Sequence, residues 1–164
     1  MTQQQSGVVG SAMTDVHAEP GLNDEIAADW ATWSRSLGMI ALPHLRRLAE
    51  EVPELTAGMV CSGDGLNLAA IGVDGALTGR LAALSSSLFG VAGAHRQVTS
   101  GNEDDGSTMV NIAGDHQQAV LLRMEVKNVG QLVVVAAAED VTLGVLVVAV
   151  RNTADALRQF LEGS

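Results

Sequence analysis

The stretch Cys61-Ser62-Gly63-Asp64-Gly65-Leu66-Asn67-Leu68-Ala69-Ala70 decides how the rest of the chain is read. Its two apolar arms flank Asp64-Gly65. That pair suits the centre of a type I′ hairpin turn, where both central residues need positive φ. A helical pattern precedes the hairpin and a longer one follows it. The chain is therefore α+β from its middle outward.

Upstream, Pro43 fits the first position of a helix that Pro53 closes. Leu42, Leu45, Leu48, Ala49 and Val52 form its inner stripe, and Arg46, Arg47, Glu50 and Glu51 face out. Before it, Asn23 reads as an N-cap with Asp24 and Glu25 in the first turn. Ile26, Trp30, Trp33 and Leu37 lie on one face of this earlier helix, which Gly38 ends or bends. The organisation expected is a disordered tail over 1–22, an accessory amphipathic helix over 23–38 and a main domain over 39–164. Trp30 and Trp33 either staple the accessory helix to the domain or meet a partner, since tryptophan is enriched at binding hot spots.

Downstream, a long helix is expected from about Ala76 to Val98, with Leu77, Leu81, Leu84, Leu88, Val91 and His95 at near-helical spacing along its inner side. Beside them runs a row of small residues spaced by four: Ala82, Ser86, Gly90 and Ala94. Glycine costs about 1 kcal/mol in a helix interior, so such a row asks for a close neighbour. That neighbour is either the domain's own sheet or a second copy of the chain. The loop Ser100–Asp105 carries Glu103-Asp104-Asp105 without the ligand spacing of a calcium loop and reads as solvated.

Three strands follow, Ser107–Ile112, Gln118–Val126 and Gln131–Ala138, joined by short turns as an antiparallel meander. Asp140 is read as the cap of a final helix reaching about Leu161. By apolar content the first and last strands are central; the second and third are edges. The fold class expected is αββαβββα, a five-stranded antiparallel sheet with a long helix and flanking terminal helices, a profilin-like sandwich.

Composition limits what the chain does. There are 19 acidic against 9 basic residues, a net charge of −10, which opposes binding to nucleic acid or an anionic membrane surface. Aromatics make up 2%, leaving few anchors for a ligand pocket or base stacking. The one cysteine, Cys61, lies in an apolar strand and has no internal disulfide partner. The run Leu132–Val150 resembles a membrane span but is interrupted by Glu139 and Asp140. With no signal peptide visible, a cytoplasmic location is expected. No GxxxxGK[ST] loop, HExxH, CxxC or GxSxG occurs, and His17, His44, His95 and His116 are scattered. The chain is thus read as no enzyme, with no cofactor and no metal.

The helix ending Glu51-Val52-Pro53, the strand Ala57–Ser62, the turn Gly63-Asp64-Gly65-Leu66 leading to Ala69-Ala70, and the terminal strand and helix over Leu132–Leu161 together resemble the Roadblock / dynein light chain family. The resemblance spans about Pro43–Leu161; the Trp30/Trp33 helix lies outside the minimal family core. It implies a noncatalytic regulatory or scaffold protein that homodimerises and binds a small Ras-like GTPase, one that actinobacterial members often have encoded beside them. It also implies a dimer interface on the long helix and third strand, here Ala82, Ser86, Leu88, Gly90 and Ala94 with Met109, Val110, Asn111 and Ile112. Trp30, Trp33, Arg46, Arg47 and Arg80 are candidate partner contacts. The edge strand Ser107–Ile112 has neither proline nor lysine to guard it, which independently favours pairing. The alternative is a small-molecule sensory domain of similar layout.

Overall fold

A computed structural model of the chain describes residues 24–101 and 108–163. The readings of 1–22 as a tail, of Asn23 as a cap and of Glu103-Asp104-Asp105 as a solvated loop lie outside the described residues. The elements run α1 (Asp24–Ala28), α2 (Trp30–Glu51), β1 (Leu55–Ser62), β2 (Asn67–Ile71), α3 (Thr78–Ser100), β3 (Met109–Ala113), β4 (Gln117–Val126), β5 (Gly130–Glu139) and α4 (Leu143–Glu162).

The strands form one antiparallel sheet in the order β2-β1-β5-β4-β3. The two most apolar strands, β1 and β5, lie inside; β2 and β3 are the margins. The pleat sends alternate residues to opposite faces. On one face Val60, Val120, Met124, Leu132, Val134 and Ala136 pack against Leu37, Ala41, Leu45 and Leu48 of α2 and Leu146, Val150, Ala154 and Leu157 of α4. On the other face Met59, Cys61, Leu121, Val133 and Val135 meet Ala82 and Phe89 of α3. The result is two helices, a sheet and a third helix in layers.

Four local expectations are corrected. Gly38 does not end a helix and Pro43 does not begin one: α2 runs unbroken through both, so the division at residues 38 and 39 falls inside it. A proline inside a helix removes one internal hydrogen bond. Pro43 and Met39, whose carbonyl loses that bond, are both exposed, so water can take the free carbonyl. Gly38 is there for another reason: a Cβ on it would stand 2.5 Å from the carbonyl oxygen of Leu68, so α2 packs backbone to backbone on β2.

The hairpin is a three-residue loop, not a type I′ turn. Gly65 N–H donates to the Ser62 carbonyl at 3.0 Å and Ser62 N–H to that of Leu66 at 2.9 Å. Gly65 alone in the loop has positive φ, +89°, as in a turn closed by a glycine bulge. Ser62 is buried and works from both ends of its side chain: its Oγ accepts from Leu66 N–H at 2.9 Å and donates to Asp64.

At the far end, the residue before α4 is Thr142 and it makes no side-chain cap. Asp140 instead adopts a positive φ of 54° in the bend leaving β5.

Candidate functional site

The long helix α3 is apolar on two sides, and the sheet uses only one. The buried positions are Ala82, Ser85 and Phe89. Leu77, Leu84 and Val91, read from sequence as part of the inner side of this helix, are 50%, 53% and 66% exposed, and Val98, near its end, is 87% exposed. His95 is exposed too. The inner face was hidden from pattern reading because two of its three residues are Ala and Ser. The exposed residues recur every seven positions, the spacing that keeps one seam in line along a helix facing another helix. That interval was the available signal.

The small-residue row divides between the two faces. Ala82 is fully buried, and Ser86 donates its Oγ hydrogen to the Gly63 carbonyl at 2.6 Å. A Cβ on Gly65 would lie 3.1 Å from the Ala83 Cα and 3.3 Å from the Ala82 carbonyl oxygen and from the Ser86 Cβ. The chain's own hairpin turn therefore occupies the first half of the row. Gly90 has nothing within 4 Å of the position its Cβ would take, and Ala94 is exposed. Leu88 is half-buried against the core beneath α3.

Among the described residues strand β3 pairs with β4 alone, and none of them meets the main-chain donors and acceptors of its outer edge. Met109 and Val110 are half-buried; Asn111 and Ile112 are exposed. Phe89, near the middle of α3, is covered on the sheet by Arg123 of β4, whose guanidinium carbon is 5.0 Å from the ring centre. Arg123 is thus a packing residue on the α3 side of the sheet. The outer face of α3 and the edge of β3 together leave apolar side chains and an unfinished ladder open.

The remaining candidates are dispersed. Trp30 packs partly into the core while Trp33 is 40% exposed. Arg46 is exposed; Arg47 is paired with Glu51 at 3.2 Å, a surface contact worth under about 1 kcal/mol. Arg80 is on α3, on the wall of an open groove of about 460 Å³ with Leu77, Leu81 and Leu84. The structure does not bring these residues into one site. Among the described residues no cluster of His, Cys, Asp and Glu is arranged to hold a metal ion, and no helix is long and apolar enough to cross a membrane. Cys61 is buried, and burial, with Asp64 nearby, pushes its thiol up to about 12.

A five-stranded antiparallel sheet ordered 2-1-5-4-3, with one long helix on one face and two on the other, defines a Roadblock-type fold. No known protein-family model and no curated protein matches the chain. Solved structures do. The chain is similar to the Roadblock/LC7 domain from Streptomyces avermitilis, over 71% of this chain and 92% of that one, at 20% identity and a TM-score of 0.58. It is similar to MglB of Myxococcus xanthus over 79% and 97%, at 15% identity and a TM-score of 0.59. It is similar to the gliding protein MglB of Thermus thermophilus over 78% and 93%, at 14% identity and a TM-score of 0.63.

Proposed function

We propose that this chain is a noncatalytic regulatory or scaffold protein of the cytoplasm. It pairs with a second copy through the outer face of α3 and the edge of β3. The pair binds a small Ras-like GTPase and modulates its nucleotide cycle or its location. The observation that carries the pairing is the exposed seven-residue series Leu77, Leu84, Val91 and Val98 beside the open edge Met109–Ala113. Covering each of those side chains contributes about 1 kcal/mol, and a second copy related by a two-fold axis covers both series at once. The GTPase rests on the resemblance of the fold. The grooves against α2, α4 and the start of α3 among the described residues are open to solvent, which supports this reading over a small-molecule sensor.

The test has two parts. Light scattering gives the molar mass of the wild type and of Leu84→Glu with Val91→Glu; a dimer that the double substitution converts to monomer is expected. A pull-down then uses a small Ras-like GTPase of the same organism, loaded with GTP or GDP. Capture that depends on the nucleotide is expected. A wild-type monomer refutes the pairing, and absence of capture in both states refutes the partner.

A further inference from the structure

The short helix α1 is docked through one side chain. It spans Asp24–Ala28, five residues. Among its described side chains Ile26 alone is buried, at 1% exposure, while Asp24, Glu25 and Ala28 face solvent. Ile26 belongs to the core that α2 and α4 form with the sheet. That core lies on the face of the sheet opposite α3. Next along the chain, Trp30 is partly packed on the same core and Trp33 is 40% exposed. These are the chain's two tryptophans.

The joint between α1 and α2 is a single residue. An unbroken helix would keep Ile26 on the stripe of Trp30 and Leu37, at i, i+4 and i+11. The chain breaks at Asp29 instead, with φ −123° and ψ 50°. Asp29 closes one helix and opens the next. Its N–H donates to the Glu25 carbonyl at 3.3 Å, and its carbonyl accepts from the N–H groups of Thr32 and Trp33 at 3.2 and 3.1 Å. Its side chain makes no cap bond to α2. A residue at the boundary of two elements is where a hinge absorbs its change of φ and ψ.

A helix of five residues is far below the length that holds by itself in water. The order of α1 therefore depends on docking, and Ile26 is its docked side chain. Fixing five residues costs at least as much as one buried isoleucine returns, so docking is poised near balance. The rest of the fold does not share that dependence: Leu37, Ala41, Leu45 and Leu48 hold α2 in place. A marginal element beside a cooperative core opens by itself.

We propose that α1 is a strap that swings about Asp29 while the remaining fold stays intact. Closed, it plugs an apolar place in the core with Ile26. Open, it presents that place, beside Trp30, to an aliphatic side chain of a partner, the kind of group seated there in the closed form. The strap is an autoinhibitory contact. It is separate from pairing through α3 and β3, because it acts on the other face of the sheet.

Urea titration of the full chain, followed by tryptophan fluorescence and by far-UV circular dichroism, tests the swing. Fluorescence should show an early transition of shallow slope, ahead of the loss of circular dichroism. Ile26→Asp should start with the fluorescence of the open form, keep the wild-type circular dichroism and leave the later midpoint unchanged. It should bind anilinonaphthalene sulfonate, the probe for the vacated place, at least tenfold more tightly than the wild type. Ile26→Val should stay closed and move only the early transition to lower urea. Coincident transitions in the wild type overturn the proposal. So does an Ile26→Asp chain that is unfolded or whose later midpoint falls. An Ile26→Asp chain that keeps its fold and binds the dye no better than the wild type overturns the presented site.

Discussion

Ser86 Oγ donates to the carbonyl oxygen of Gly63 at 2.6 Å, across 23 residues of sequence. This bond ties the middle of α3 to the turn between β1 and β2 and sets which side of the helix faces the sheet. Ser86→Ala leaves the Gly63 carbonyl without that donor. A loss of about 1 kcal/mol is expected, read as a lower urea midpoint with an unchanged slope.

Gly38 and Gly90 are both helix-interior glycines and should respond oppositely to alanine. A Cβ at Gly38 meets the Leu68 carbonyl at 2.5 Å, a main-chain atom that cannot step aside cheaply. Gly38→Ala should cost about 1–3 kcal/mol despite its better helix propensity. Gly90 faces open space, so Gly90→Ala should stabilise the isolated chain by about 0.5–1 kcal/mol. Thermal unfolding of the two variants side by side checks the pair.

Gly90→Leu separates folding from assembly. The larger side chain enters solvent in a single copy, so chain stability should hardly change. Between two copies it would push the helices apart, and light scattering should show a lower mass at equal concentration. An unchanged mass would take Gly90 out of the contact.

Two groups titrate in opposite windows. Burial raises Cys61 to about 12, so the folded state keeps its proton after the unfolded thiol, with its ordinary value near 9, has lost it. Its contribution is whole below about pH 9 and is lost as pH rises towards 12; Cys61→Ala should flatten that decline. Alkylation by iodoacetamide at pH 8 should proceed only through unfolding. His44, beside Phe160 with ring centres 6.1 Å apart, is lowered by desolvation and then by Arg47. Below its unfolded value of 6.5 the unfolded state binds the proton first, so stability falls as the solution is acidified. His44→Gln should reduce that slope in urea titrations at pH 5 and 7.

Which strands lie inside the sheet and which at its margins was legible from the chain alone. Val-rich β5 and apolar β1 have no polar face to give to solvent, so they belong inside, while β2 and β3 go to the margins. The stripe Leu45, Leu48 and Val52 and the stripe Leu146, Val150 and Leu157 are one-sided, and such stripes name their own buried face. The reading failed at α2, where a glycine and a proline carry strong local signals for a break. Packing of Leu37, Ala41, Leu45 and Leu48 on the sheet outweighs both.

Periodicity thus determined the class of fold, because one-sided elements have only one way to hide their apolar side. Which flank of α3 lies inward was decided by tertiary structure alone. That helix is apolar on two flanks, and the fit of Ala82, Ala83 and Ser86 under the turn at Gly65 selects between them. A small side chain carries almost no hydrophobic signal in sequence, yet it permits the closest approach, which is why the buried face was silent and the exposed one conspicuous.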